Sequence, residues 1–294
     1  MSVGRPQMRV FMAEFSGTGN TRYLGAVLEH VLKEGGHSVT RATIERQPQR
    51  PSIPDCDLVL IGAPVYHCAP PANVVRYVSS LAGRGLPLAT YFSLGLYSGD
   101  CARILQTHAE GAGFRPIGNF EAKFPGSDMV AIAHDNSVLV RLNRRITRGL
   151  SEKARRFVAE LNLDSQLCKP QSKWYVPLND LANRFAVPAY RRYKERLQAE
   201  PGSCAEGYWC VANCPVHAIR PRDRSVTFDP QKCILCLRCY HACPNQAIRI
   251  GQSGHGATYP GPQVARNFKP LAEYQPDPVR CVAPANRQRP ASLK

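Results

Sequence analysis

Nowhere in the 294 residues does an apolar run approach the ~18 residues of a membrane-crossing helix, and Met1 to Gln7 lacks the apolar core of a signal peptide. A cytoplasmic location is therefore expected. Acidic residues are scarce too, with 22 Asp and Glu against 38 Lys and Arg and a formal charge of +16. Such an excess implies an acidic partner, an anionic membrane surface, nucleic acid or bound anionic cofactors, and does not choose among them. Also missing are Gly-x4-Gly-Lys-[Ser/Thr], which disfavours nucleoside triphosphate hydrolysis, and the Gly-x-Gly-x-x-Gly dinucleotide fingerprint. No helix-turn-helix, RNP motif or zinc finger is visible, so nucleic-acid binding is disfavoured.

What is present fits a globular chain of about two domains, since 44% hydrophobic and 20% charged residues can build a core. Cysteine is plentiful, with 12 residues of which seven fall between Cys204 and Cys243. In a reducing compartment clustered thiols point to metal or redox work rather than disulfides.

Residues 8–15 are apolar and run into Ser16-Gly17-Thr18-Gly19-Asn20, after which Leu24, Val27, Leu28, Val31 and Leu32 recur at helical spacing as far as Gly35-Gly36. Strand patterns follow at Ser38–Ile44, Asp57–Ala63, Leu86–Leu94 and Phe114–Phe124, with helices over Pro70–Leu81 and Cys101–Glu110 between them. This alternation predicts an α/β fold with an open, doubly wound parallel sheet. Leu139, Leu142, Ile146, Leu150, Phe157 and Leu161 form one stripe and predict a helix over Val138–Leu161 that packs on the sheet. A further helical piece is expected near Tyr190–Gln198.

Small hydroxylated residues before a helix make an anion site, because free N–H groups and the helix dipole both favour phosphate. In Ser16-Gly17-Thr18-Gly19-Asn20-Thr21 three hydroxyls can donate to phosphate oxygens, and two glycines let the backbone approach. A capped helix without ligand would have the same local pattern. Cys56, Cys68, Cys101, Cys168 and His67 have ordinary roles in loop or core as their simplest reading.

The Ser16 loop resembles the FMN phosphate loop of the flavodoxin family. That resemblance implies a flavodoxin-like five-stranded sheet in the order 2-1-3-4-5, with FMN at the carboxyl ends of strands one, three and four. Here those ends are the Ser16 loop, the Ala63–His67 loop with Pro64, Val65 and Tyr66, and the Ser93–Asp100 loop with Ser93, Gly95 and Tyr97. Tyr66 or Tyr97 would stack on the isoalloxazine.

Further along, Cys204, Cys210, Cys214, Pro215, Ala218, Ile219 and Arg220 recur at an offset of 29 as Cys233, Cys239, Cys243, Pro244, Ala247, Ile248 and Arg249. Cys233-x-x-Cys236-x-x-Cys239 with Cys243-Pro244 is the bacterial ferredoxin run, whose fourth cysteine ligates the other of two clusters. Structural zinc more often uses two distant Cys-x-x-Cys halves. The crossed pattern of that resemblance implies one intact [4Fe-4S] cluster on Cys233, Cys236, Cys239 and Cys214. The other site retains Cys204, Cys210 and Cys243 but has Gly207 where a ligand is due. Three outcomes stay open there: a [3Fe-4S] cluster, an open [4Fe-4S] cluster with water or Glu206, or no cluster. Rescue by Cys281 ranks last.

Together the parts resemble the flavodoxin–ferredoxin fusion proteins. Residues 1–163 would be the flavodoxin-like FMN domain, 164–200 a helical and irregular bridge, 201–252 a small α+β bacterial ferredoxin-like domain, and 253–294 an extended basic tail. The resemblance implies electron transfer between clusters and FMN, with the flavin either a waystation or the place where an unidentified acceptor is reduced, and the basic charge makes an acidic redox protein the expected donor or acceptor. No acid, base or nucleophile constellation identifies a catalytic residue. The alternative is a redox-responsive regulatory or binding protein whose cluster state controls docking to an acidic partner or nucleic acid. Its sequence basis is seven bases (Arg141, Arg144, Arg145, Arg148, Lys153, Arg155, Arg156) against the one acid Glu152, a net +6, and a second group at Arg191, Arg192, Lys194 and Arg196.

Overall fold

A computed structural model describes residues 6–45, 51–132, 145–164, 188, 190–200, 202–204, 208–251, 258–265 and 267–274. Five strands, β1 (Arg9–Glu14), β2 (Ser38–Thr43), β3 (Leu58–Pro64), β4 (Pro87–Leu94) and β5 (Arg115–Lys123), form one sheet in the order β2-β1-β3-β4-β5. All four pairings are parallel, with Val10 opposite both Val39 and Leu58, and Ile61 opposite Thr90. This is the flavodoxin-like order, which reverses direction between β1 and β3 and opens a crevice at their carboxyl ends.

Both faces of the sheet are covered, and the chemistry of the strands shows why. β3 and β4 are buried at every position, as apolar runs in a central parallel strand must be, whereas the edge strand β2 is half-exposed and carries Arg41 and two threonines. Side chains alternate between two cores. Val10, Met12, Leu58, Leu60 and Tyr91 pack with α1 (Asn20–Glu34) and α5 (Leu150–Glu160), while Phe11, Ala13, Val59, Ile61 and Phe92 pack with α2 (Ala72–Ser80) and α3 (Cys101–Gly111). A short helix α4 (Ser127–Ile132) follows β5.

The stripe expected as one helix over Val138–Leu161 is helical only from Leu150 within the described residues. Gly149 takes a left-handed conformation (φ 62) at the helix start, and before it the chain is tied to the end of β5. Thr147 N–H donates to the Lys123 carbonyl at 2.9 Å, and Lys123 N–H donates to Thr147 Oγ1 at 2.7 Å. Ile146 is buried from this extended segment, so Arg145 and Arg148 do not share a helical face with Lys153, Arg155 and Arg156. Leu139, Arg141, Leu142 and Arg144 lie outside the described residues.

Near Tyr190 the helical residues are 190–195, and the expected continuation to Gln198 is instead strand β6 (Leu197–Ala199). β6 pairs antiparallel with β9 (Ile248–Ile250), burying Leu197 among Leu235, Leu237, Tyr240 and Ile248. That apolar contact overrides the local helical pattern. A hairpin of β7 (Ile219–Arg222) with β8 (Ser225–Phe228) completes the small cysteine-rich module. After it, residues 258–265 and 267–274 run back over α1. Phe268 and Tyr274 pack around Tyr23, whose hydroxyl donates to the Lys269 carbonyl at 2.8 Å.

Candidate functional site

The Ser16 loop leaves β1 at the sheet's carboxyl edge and enters α1. Ser16 Oγ turns inward and accepts from Gly19 N–H (3.1 Å) and Arg22 N–H (3.3 Å), which closes the loop into a compact turn. Gly19 adopts φ 95, a conformation open to glycine, and there a side chain would press on Pro262 and Tyr274, each 3.2 Å from the place of a Cβ. At Gly17 a Cβ would collide with the Tyr66 hydroxyl and stand 3.1 Å from the Cys236 carbonyl oxygen. Only glycine fits there.

Around this loop lies a solvent-open cleft. Ser16, Gly17, Thr18, Asn20 and Thr21 form one side; Pro64, Val65 and Tyr66 from the end of β3 and Ser93, Leu94 and Gly95 from the end of β4 form others. Thr21 Oγ1 and Ser93 Oγ share a hydrogen bond of 2.8 Å, joining the loop to β4. Pro125, Gly126, Ser127 and Asp128 after β5, Tyr190, and Leu235 of the cysteine-rich module complete the wall. Tyr190 Oη donates to Asp128 Oδ2 at 2.9 Å. Hydroxyls, glycines and a helix start on one side, with apolar and aromatic groups on the other, suit a ligand carrying one phosphate and one flat ring. Burial holds the Tyr66 phenol well above its ordinary range, and half-buried His67, facing Lys194, is pushed down to about 3.

The cysteine-rich module encloses a second space. It lies among Cys210, Cys214, Cys233, Cys236 and Cys239, with Leu197, Ile219, Phe228 and Leu237 around them. Burial raises Cys239 well above the ordinary thiol value, and the neighbouring charges of Cys236, Cys233, Cys210 and Cys214 raise it further. Cys236 is pushed up to about 12 by burial, against the opposing pull of Arg238. Cys210 reaches about 11 through burial and the proximity of Cys243 and Cys204. Thiols crowded in this way become thiolates only when a cation compensates them, and iron does that. Backbone N–H groups already point at the sulfurs: Ala218 to Cys214 Sγ (3.2 Å), Leu235 to Cys233 Sγ (3.3 Å) and Ala247 to Cys243 Sγ (3.3 Å). Among the described residues no three His, Cys, Asp or Glu stand at the spacing of a single-ion site. Thiolates at the corners of an iron–sulfur cube stand farther apart than those on one ion.

Residues 226–249 match the family described as 4Fe-4S binding domain. The chain joins a flavodoxin-like domain to a ferredoxin-type 4Fe-4S domain. Over 82 residues, 27% of its length, it is 33% identical to the Escherichia coli (strain K12) protein named "Putative oxidoreductase UacF", and the match spans 12% of that longer protein. Similar solved structures include oxidised Flavodoxin 1 from Bacillus cereus, with a TM-score of 0.38, 17% identity and coverage of 52% of this chain and 99% of that one. The Streptococcus pneumonia TIGR4 flavodoxin has a TM-score of 0.34 and 13% identity, covering 52% and 99%. Among the described residues no helix is long and apolar enough to cross a membrane.

Most residues singled out in the sequence meet in these two places. Gly19 lies behind the Ser16 loop rather than on the pocket wall, and Tyr97 is 42% exposed, set against Cys68 and outside the lining. Cys204, Cys210 and Cys243 are partly buried neighbours, while Gly207, Glu206, Cys168 and Cys281 lie outside the described residues. Sequence reading missed the Pro125–Asp128 wall, Tyr190, Leu235 and Arg238. The turn-forming run Pro125-Gly126-Ser127-Asp128 at the end of β5 was a usable signal for the first; the others are brought in by tertiary contact alone.

Proposed function

We propose that the pocket at the carboxyl edge of the flavodoxin-like sheet binds FMN, and that electrons pass between it and a [4Fe-4S] cluster on Cys214, Cys233, Cys236 and Cys239. The observation that carries this reading is the shared wall: Leu235 lines the pocket, and Cys236 packs against Gly17 of the phosphate loop, its Cβ 3.3 Å from where a Gly17 side chain would begin. Cys236 also belongs to the same apolar cluster as Phe15, Phe92, Val65 and Tyr66. Bound FMN would contribute the exchange between two-electron and one-electron chemistry, and the cube the one-electron steps. The chain's part is to hold both sites within one apolar contact, to exclude water at Cys236 and Tyr66, and to present hydroxyls of Thr18 and Thr21 to the phosphate.

At the second site Cys204, Cys210 and Cys243 hold a cluster of different type, [3Fe-4S] or an open [4Fe-4S], because Gly207 has no ligand to offer. The external partner is an acidic redox protein, a reading supported by the exposed Arg148, Lys153, Arg155 and Arg156 beside α5. Anaerobic rapid mixing with a low-potential donor tests the relay. Cluster bleaching followed by flavin bleaching at a rate independent of protein concentration is expected. A flavin rate that rises linearly with protein concentration would mean that electrons travel between molecules, and the intramolecular reading would fall.

A further inference from the structure

Arg238 sits between Cys236 and Cys239; its backbone N–H serves the Cys236 sulfur, and its side chain reaches elsewhere. It is 8% exposed, and its guanidinium reaches out of the cysteine-rich module into the loop after β1. Nη2 donates to the Ser16 carbonyl at 2.5 Å and Nε to the Gly17 carbonyl at 3.1 Å. Nη1 donates to Glu45 Oε2 (2.7 Å) and to the Asn213 carbonyl (3.2 Å), and the cation lies 5.8 Å from the Phe15 ring centroid. The planar fork thus ties two consecutive phosphate-loop carbonyls, oriented by a carboxylate from the end of β2's connection.

A trans peptide points its carbonyl and the next N–H in opposite directions. With the Ser16 and Gly17 carbonyls held toward Arg238, the N–H groups of Gly17 and Thr18 face the opposite way. Those two residues line the pocket.

A second tie starts three residues on. Tyr259 N–H donates to His241 Nδ1 at 2.9 Å, so the ring proton sits on Nε2, which donates to the Ser127 carbonyl at 3.1 Å on the pocket wall. Tyr259 Oη then donates to Asn20 Oδ1 (2.6 Å), and Asn20 Nδ2 to the Pro125 carbonyl (3.0 Å). The short helix Arg238–Ala242 therefore grips both the phosphate loop and the opposite wall. Residues 233–237, which lead into it, are neither helix nor strand, so their course depends on what their cysteines bind.

We propose that Arg238 is a positioning residue that makes FMN retention conditional on a filled cluster site: iron on Cys233, Cys236 and Cys239 fixes the helix, and Arg238 transmits that order to the phosphate loop. The inference rests on the FMN reading above and adds a coupling between the two sites, which by linkage acts in both directions.

The test is an anaerobic FMN titration of the full chain, followed by flavin fluorescence, with the cluster filled and after removal of iron by a chelator. Emptying the wild type should weaken FMN binding at least tenfold. Filled Arg238→Ala should bind FMN as weakly as the emptied wild type, and emptying it should change its affinity less than twofold. Arg238→Lys, which keeps the charge but not the fork, should fall between. Equal affinity of filled and emptied wild type would overturn the coupling while leaving the FMN reading intact; no FMN binding by the filled wild type would overturn both. Should Arg238→Ala fail to take up iron, Glu45→Ala, which touches no cysteine, should reduce the wild-type ratio, and an unchanged ratio would likewise overturn the proposal.

Discussion

The two copies of the cysteine repeat share a backbone and differ in what they touch. Tyr208 and Leu237, at equivalent positions, both take left-handed conformations (φ 42 and 55), as do His217 and Gln246 (φ 51 in each). The N–H···S contacts of Ala218 and Ala247 also correspond, at 3.2 and 3.3 Å. At the offset of 29, however, Arg238 of the second copy faces Trp209 of the first, and Cys236 faces Gly207. Arg238 is saturated by carbonyls and a carboxylate of the neighbouring domain, whereas Trp209 Nε1 is buried with no hydrogen-bond partner among the described residues. One copy has thus become the joint to the flavodoxin-like domain, and the other has lost a thiolate position. A duplicated unit can diverge in this way because the N–H···S bonds of Ala218 and Ala247 that both copies share do not involve the two altered positions.

The strongest way to break this comparison is Cys239→Ser. Loss of the second copy's site, seen as a fall of about four irons per chain and disappearance of the ordinary [4Fe-4S] resonance, is expected with the first site's signal retained. Loss of both signals together would mean that the copies do not hold separate sites. Next comes Gly207→Cys, which should convert the inequivalent first-site species into a second ordinary four-iron resonance; identical spectra for variant and wild type would refute the three-thiolate assignment. A smaller effect is expected from Thr18→Ala with Thr21→Ala. Removing two hydrogen bonds to a charged phosphate should weaken FMN binding roughly tenfold to a hundredfold, while iron content stays constant. Unchanged FMN affinity would locate the phosphate elsewhere.

Reversing Arg148 and Lys153 to Glu should slow exchange with an acidic carrier protein chiefly at low salt, through association rather than the internal step. Rates that are unaffected at low salt would leave these charges as an ordinary solvated surface. The smallest effect belongs to the far edge of the sheet, where the Arg9 guanidinium bonds Asp57 (2.7 Å to Oδ1) and holds its carboxyl below the ordinary value of 3.8. A lowered folded pKa contributes stability that is fully present above pH 3.8 and is lost as pH falls through the lowered value. Asp57→Asn should therefore flatten the acid limb of a urea-midpoint profile slightly and leave both cofactor sites untouched. A midpoint profile superimposable on that of the wild type would remove the pair from any account of acid stability.

The parallel sheet was legible in the residues because its signal is local and repeated: continuous apolar runs such as Leu58–Pro64 alternate with helical stripes, and a buried strand has no other way to satisfy its side chains. The turn-forming run of the Ser16 loop and the cysteine spacings were legible for a related reason, since each packs its signal into a few consecutive residues. By contrast, the helix read over Val138–Leu161 failed at Gly149, where a pairing with β5, distant in sequence, outweighed periodicity. Leu197, in a helical pattern by itself, became strand because Ile250 and the Leu235–Tyr240 core were there to receive it.

Composition and spacing by themselves determined the two parts of this protein, their order and the residue types able to hold phosphate and iron. Only the tertiary structure decided that the parts share a wall, with Arg238 on the carbonyls of Ser16 and Gly17 and Leu235 inside the pocket. The physical reason is range. A motif is written in bonds between near neighbours, whereas Arg238 meets its carbonyls across more than two hundred residues, and nothing in a run of Cys-Leu-Arg-Cys says which carbonyls an arginine will find.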